Sequence, residues 1–191
     1  MNTVVTSKEE ILRVSRALIQ EQGWAALNIR SVAAACGVSV GSIYNYFNSK
    51  AELLGETVES IWQEIFHQPD NKTPVLDIQV WITSLYQHME EGNRQYPDFF
   101  SFHSFGFVGE DKSDGRRRMQ QAWQHILDGL CFVLKHDPKV RSDAFTDQFT
   151  PEQFADMLFS LMLSAMLRQN YCPDTILEMV RRTIYETKKF P

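Results

Sequence analysis

Residues 37–41, Gly-Val-Ser-Val-Gly, match the G-x-S-x-G pattern, in which a serine raised on a sharp strand-to-helix turn acts as a nucleophile. That chemistry needs a buried strand before Ser39 and a parallel sheet to hold the turn. The residues before Gly37 are Val-Ala-Ala-Ala-Cys, dominated by alanine, a strong helix former. No run of Val, Ile and aromatic residues elsewhere suggests a parallel sheet, so context goes against a hydrolase. The same stretch offers a second chemistry. Ser42, Tyr44, Asn45 and Tyr46 carry hydroxyl and amide groups suited to non-covalent recognition.

Read as helices, residues 28 to 50 have a definite geometry. Asn28 is a good N-cap, and Ile29, Val32 and Ala33 fall on one face of a helix that runs to about Cys36. Gly37 can adopt the left-handed conformation that ends a helix. Ser39 caps a second short helix whose inner face is Ile43 and Phe47, leaving Ser42, Tyr44, Asn45 and Tyr46 outside. Ser49 and Glu52 form an S-x-x-E capping box that starts a long helix at about Lys50. Two short helices joined by a tight turn are the form in which a helix is laid into the DNA major groove.

The elements that must position this motif also read as helices. Ser7 and Glu10 form another S-x-x-E box, before a helix lined by Ile11, Leu12, Ser15, Leu18 and Ile19 and ended by Gly23. The helix from Ser49 runs towards His67, and residues 68–74 read as a turn. A further helix runs from about Val75 until Pro97 breaks it, another from about Ser113 to His136, a third after the capping signature Thr150-Pro151-Glu152-Gln153, and a last from near Pro173 to near Lys188. The expected fold is all-α: an N-terminal three-helix helix-turn-helix domain, residues 1–49, and a C-terminal helical bundle, residues 50–191.

Composition supports a globular protein with 43% hydrophobic residues. The N-terminus lacks a basic region followed by an apolar stretch, so no signal peptide is expected. The most apolar run, Met157 to Met166, is too short to span a bilayer, and a cytoplasmic location without membrane association follows as the default. Three widely spaced cysteines and five histidines show neither disulfide nor metal-ligand spacing, so no metal and no cofactor are expected. The net charge of −5 is unevenly divided: residues 1–50 hold five basic and three acidic side chains, a net of +2, leaving −7 on the remainder. A weakly positive N-terminal unit on an acidic body can bind DNA, because only local phosphate contacts release counterions.

At this point the chain resembles a family. Gly23, the run Asn28-Ile29-Arg30-Ser31-Val32-Ala33, Gly37-Val38-Ser39, Ser42-Ile43-Tyr44, Tyr46-Phe47 and Ser49-Lys50 with Leu53 are similar to the N-terminal domain of the TetR family of bacterial transcriptional regulators. The resemblance covers roughly the first quarter of the chain. It implies an all-α homodimer that binds a palindromic operator in double-stranded DNA and is not an enzyme. It also implies a C-terminal domain holding a small-molecule effector, whose binding in most members releases a repressor. Carried over by position, DNA contacts fall on Arg30, Ser39, Val40, Gly41, Ser42, Tyr44, Asn45, Tyr46 and Lys50. Arg30 suits a guanine edge or a phosphate, Asn45 an adenine, Tyr44 and Lys50 phosphates, and Val40 a thymine methyl. Gly41 lets backbone approach backbone closely, and Tyr46 has packing on the first helix as an alternative.

Effector candidates are the dense aromatic and Met side chains Trp62, Phe66, Trp81, Tyr86, Met89, Phe99, Phe102, His103, Phe107, Trp123 and Met162, pointing to a largely apolar or aromatic ligand. Such residues at helical spacing are equally those of a plain core, so a DNA-binding regulator with no effector, an activator or constitutive binder, stays open. A ligand near Ile61, Trp62 and Phe66 would tilt the helix from Ser49. Apolar surfaces at Phe154, Leu158, Leu161, Met162 and Ala165, and at Ile176, Val180 and Ile184, are expected to pair two copies about a two-fold axis.

Overall fold

The computed structural model describes residues 6–66, 76–100 and 112–185. Among these residues the chain forms eight α-helices and one 3-10 turn, with no strand beyond isolated bridges. The helices are α1 (Lys8–Gln22), α2 (Ile29–Ala35), α3 (Val40–Tyr44), α4 (Lys50–Phe66), α5 (Ile78–Gln95), α6 (Lys112–His136), α7 (Pro151–Arg168) and α8 (Asp174–Ile184). The 3-10 turn, Trp24–Ala26, follows α1. The chain divides into two compact units, Met1–His67 with Gly92–Met119 and Gln68–Glu91 with Gln120–Pro191.

In the first unit α1 starts at Ser7, whose side chain accepts from the Glu10 amide, and buries Ile11, Val14, Ser15, Leu18 and Ile19. With Leu27, Ile29, Val32, Ala33, Ile43, Leu53, Val58, Ile61, Ile65 and the Phe47 ring, these are the buried, largely aliphatic side chains of the unit. Burying each large one contributes roughly 1.5–3 kcal/mol, enough to hold α2 and α3, which are too short to persist alone. Capping differs in detail from the expected boxes. Glu52 donates its amide to Ser49 Oγ at 3.0 Å, but its carboxylate accepts from the Asn48 amide at 2.6 Å rather than from Ser49. Glu10 likewise gives its carboxylate to Arg13, so the box at Ser7 is closed from one side only. At the end of α5, Gly92 leaves room for Ile65, because a Cβ there would lie 2.6 Å from Ile65 Cδ1.

In the second unit the Thr150–Gln153 box is complete, with proline in the first turn of α7. Trp123 meets Phe159 edge-on at 5.8 Å, which brings α6 to α7. The buried carboxylate of Asp137 joins three elements, accepting from the Ile78 amide at 2.9 Å, the Tyr185 hydroxyl at 2.6 Å and the Lys139 amide at 2.8 Å. That carboxylate caps the first turn of α5, where a helix N-terminus favours negative charge.

Candidate functional site

The candidate site is built from two helices and the turn between them. Asn28 Oδ1 accepts from the amides of Arg30 and Ser31 at 3.1 and 3.0 Å, which starts α2. Gly37 ends it with φ +67°, and the amides of Gly37 and Val38 return to the carbonyls of Ala34 and Ala33 at 3.1 and 3.0 Å. That pair of bonds is a Schellman motif, which needs a residue at ease in the left-handed region. Ser39 Oγ then accepts from the Ser42 amide at 3.1 Å and starts α3. Ser39 therefore caps a helix, its hydroxyl also 2.9 Å from that of Ser42, and is preceded by α2 and the turn rather than a strand. The support that a nucleophile elbow requires is not built here.

Helix α3 divides sharply by face. Ile43 and the following Phe47 are fully buried, while Val40 and Tyr44 are 39% and 50% exposed. Ser39, Gly41 and Asn45 are exposed beside them, and Ser42 is half-buried. Arg30 and Lys50 are also exposed. Tyr46 is exposed on its ring, but its hydroxyl donates to the Thr6 carbonyl at 2.6 Å. The cations of this region have separate fates. Lys8 pairs with Glu56, Arg13 with Glu10 and Arg16 with Glu64, at 2.6, 2.6 and 2.7 Å. Arg30 and Lys50 make no ion pair among the described residues. Two unneutralised cations thus accompany an exposed polar and apolar helix face, an arrangement fit for a polyanion carrying base edges.

The sequence-derived effector residues fall into two sets. In the first unit, Trp62, Phe66 and Phe99 meet in one ring cluster: Trp62 lies 5.0 Å from Phe66, 5.5 Å from Phe99 and 5.8 Å from Phe100. Phe100, adjacent to Phe99 in the sequence, is fully buried in that cluster with them. In the second unit Tyr86, Met89 and Met162 are buried and Trp81 and Trp123 half-buried. Phe102, His103 and Phe107 lie outside the described residues. Two of these side chains stand out chemically. Trp62 Nε1 and the Tyr86 hydroxyl are buried donors without a hydrogen-bond partner among the described residues, and burial pushes the pKa of the Tyr86 hydroxyl up to about 12.

The apolar residues expected at a two-fold interface also divide. Phe154, Leu158, Met162, Val180 and Ile184 are buried in their own protomer's core, at 0–1% exposure. Leu161 is exposed, and Ala165 and Ile176 are half-buried. Met157, one turn before Leu161 on α7, is 50% exposed, and Leu167 near the end of the helix is 53% exposed. No group of three His, Cys, Asp or Glu side chains placed to hold a metal ion occurs among the described residues, and none of the described helices is long and apolar enough to cross a membrane.

Residues 11–57, which contain the whole helix-turn-helix, match the family described as bacterial regulatory proteins, tetR family. A stretch of 47 residues is 43% identical to the uncharacterized HTH-type transcriptional regulator YerO of Bacillus subtilis, covering 25% of this chain and 16% of that protein. Over 59 residues the chain is 30% identical to the HTH-type transcriptional repressor KstR2 of Rhodococcus jostii, covering 31% of this chain and 29% of that one. The matched stretch thus spans less than a third of either relative. Among solved structures, a transcriptional regulator from Rhodococcus sp. RHA1 superposes over 96% of this chain and all of its own with a TM-score of 0.69 at 16% identity, a likeness of fold along the whole length. Over residues 11–57, about a quarter of its length, this chain is thus similar to the tetR family of bacterial regulatory proteins.

Proposed function

We propose that the protein is a transcriptional regulator which binds a palindromic operator as a homodimer and acts as a repressor released by a small, largely apolar or aromatic effector. Residues 1–49 form its DNA-binding domain and residues 50–191 its effector-binding and dimerisation domain. The observation that carries the DNA reading is the outward face of α3. Val40 and Tyr44 stand in solvent while Ile43 and Phe47 hold the helix from behind, and Arg30 and Lys50, which make no ion pair among the described residues, supply positive charge nearby. The family match at residues 11–57 supports the same reading, and the repressor relative supports the sign of regulation. Of the surface expected to pair two copies, Leu161, Ala165 and Ile176 remain accessible, with the exposed Met157 one turn before Leu161 on the same face of α7.

For the effector, the support is a buried donor in each unit taken separately, Trp62 Nε1 in the first and Tyr86 Oη in the second, neither with a partner among the described residues. Leaving such a group unpaired costs about 1–3 kcal/mol, a cost that a ligand bearing carbonyl or ether oxygens would remove. Binding beside Trp62 would tilt α4 and change the spacing of the two α3 helices, to the extent that the effector prefers one form. A second reading keeps the DNA binding and drops the effector, since the full burial of Phe99, Phe100 and Met89 is what a plain core also gives. Thermal shift across a metabolite library separates the two. Selection of bound duplexes from a random pool tests the main claim, which predicts recovery of an inverted repeat.

A further inference from the structure

The start of α1 is fastened to the far side of the helix-turn-helix by contacts that join residues 40 and 48 positions apart. The Thr6 carbonyl accepts the Tyr46 hydroxyl at 2.6 Å. Lys8 Nζ reaches both carboxylate oxygens of Glu56 on α4, at 2.8 and 2.6 Å, and lies 5.6 Å from the centre of the Phe47 ring. Glu56 is only 8% exposed and Phe47 is fully buried. Tyr46 and Phe47 are adjacent and leave the end of α3 directly, the amides of both returning to the Ile43 carbonyl. A helix of five residues cannot hold its own direction. Two neighbouring anchors on the chain leaving it fix how far it is rolled about its axis. Both anchors end on the same three residues of chain, Thr6 to Lys8.

We propose that Thr6–Lys8 is a strap that sets the roll of α3, with Lys8, Glu56 and Tyr46 as positioning residues for operator recognition. This rests on the reading that the outward face of α3 meets DNA. Lys8 then raises specific affinity without neutralising a phosphate, because its charge is already spent on a buried carboxylate. Its role differs from that of Arg30 and Lys50, which are free to release counterions. Base contacts need α3 held to within a fraction of an ångström, whereas non-specific phosphate contacts tolerate a looser helix.

The test uses the full-length protein and fluorescence anisotropy, with the duplex recovered by selection and a scrambled duplex of equal length, over a range of salt concentrations. Lys8→Met is expected to weaken binding to the selected duplex by about tenfold or more, leaving scrambled-duplex affinity and the salt slope unchanged. The charge swap Lys8→Glu with Glu56→Lys restores most of the loss, as expected for a coupled pair. Tyr46→Phe, which removes one hydroxyl and spares the fold, is expected to lower the ratio of selected to scrambled affinity severalfold. Circular dichroism at the assay temperature confirms that each variant is folded. The strap is overturned if Lys8→Met lowers the salt slope by about 0.9 per phosphate and weakens both duplexes equally, which would make Lys8 a backbone contact. It is also overturned if neither Lys8→Met nor Tyr46→Phe moves the ratio. If the wild-type protein selects no duplex at all, the DNA reading itself fails and the strap falls with it.

Discussion

Gly37 and Gly41 stand four residues apart in the same turn and helix, and their backbones ask different things of them. Gly37 holds φ +67°, so Gly37→Ala is expected to cost roughly 1–2 kcal/mol in chemical denaturation, the penalty of a left-handed alanine. Gly41 is helical, and an added Cβ there would meet only Ser39 Oγ at 3.7 Å, an ordinary contact. Gly41→Ala is therefore expected to leave stability unchanged or raise it by up to about 1 kcal/mol through helix propensity. Operator affinity is expected to fall all the same, because the methyl would stand where a duplex approaches. Loss of stability with Gly41→Ala, or full retention of operator binding, would contradict this assignment. Both glycines were legible as a turn and its sequel because capping and φ preferences act over three or four residues. Lys8 and Glu56 were not, since nothing in a local pattern announces a pair 48 residues apart.

Among the elements, helix starts at Asn28, Ser39 and Thr150 were readable from single polar residues before apolar periodicity, and the structure builds each of those caps. The reciprocal half of the boxes was harder to read. Glu10 and Glu52 each had a competing partner, Arg13 and the Asn48 amide, that the spacing rule does not weigh. The join between α6 and α7 gives a pH prediction. Lys135 holds the Glu152 carboxylate down to about 2 from an ordinary 4.5, with the helix backbone and Thr150 adding to the effect. A depressed carboxylate stabilises the fold above its unfolded value and loses that contribution as the pH falls through the folded one. Thermal stability is thus expected to decline between about pH 4.5 and 2, and Glu152→Gln to flatten part of that decline. An unchanged pH profile in Glu152→Gln would show that the exposed pair contributes nothing measurable.

For the whole molecule, the limit on reading was the question of what covers an apolar face. Phe154, Leu158 and Met162 lie on α7 at the spacing of a buried stripe, and their own protomer buries them. Leu161, three residues beyond Leu158 and beside the stripe rather than on it, is left 38% exposed. Hydrophobic periodicity gives the existence of such a face but not its partner, so the proposed two-fold surface is carried instead by the exposed Leu161 and Met157. Leu161→Glu is expected to shift the protein from dimer to monomer in sedimentation at micromolar concentration, with unchanged helix content. A dimer that survives this change would place the interface elsewhere. The ring residues raise the same difficulty, because a buried Trp62 or Tyr86 looks alike in a core and in a ligand site until its polar atom is found without a partner.

Whether the Tyr44 face of α3 meets a duplex is tested most directly by selection from a random DNA pool with the wild type and Tyr44→Ala in parallel. The wild type is expected to enrich an inverted repeat with half-site centres about 34–36 Å apart or a multiple of that spacing, and Tyr44→Ala, which removes an exposed ring and spares the core, is expected to lose the enrichment. Enrichment of the same repeat to the same degree by both proteins would contradict the account.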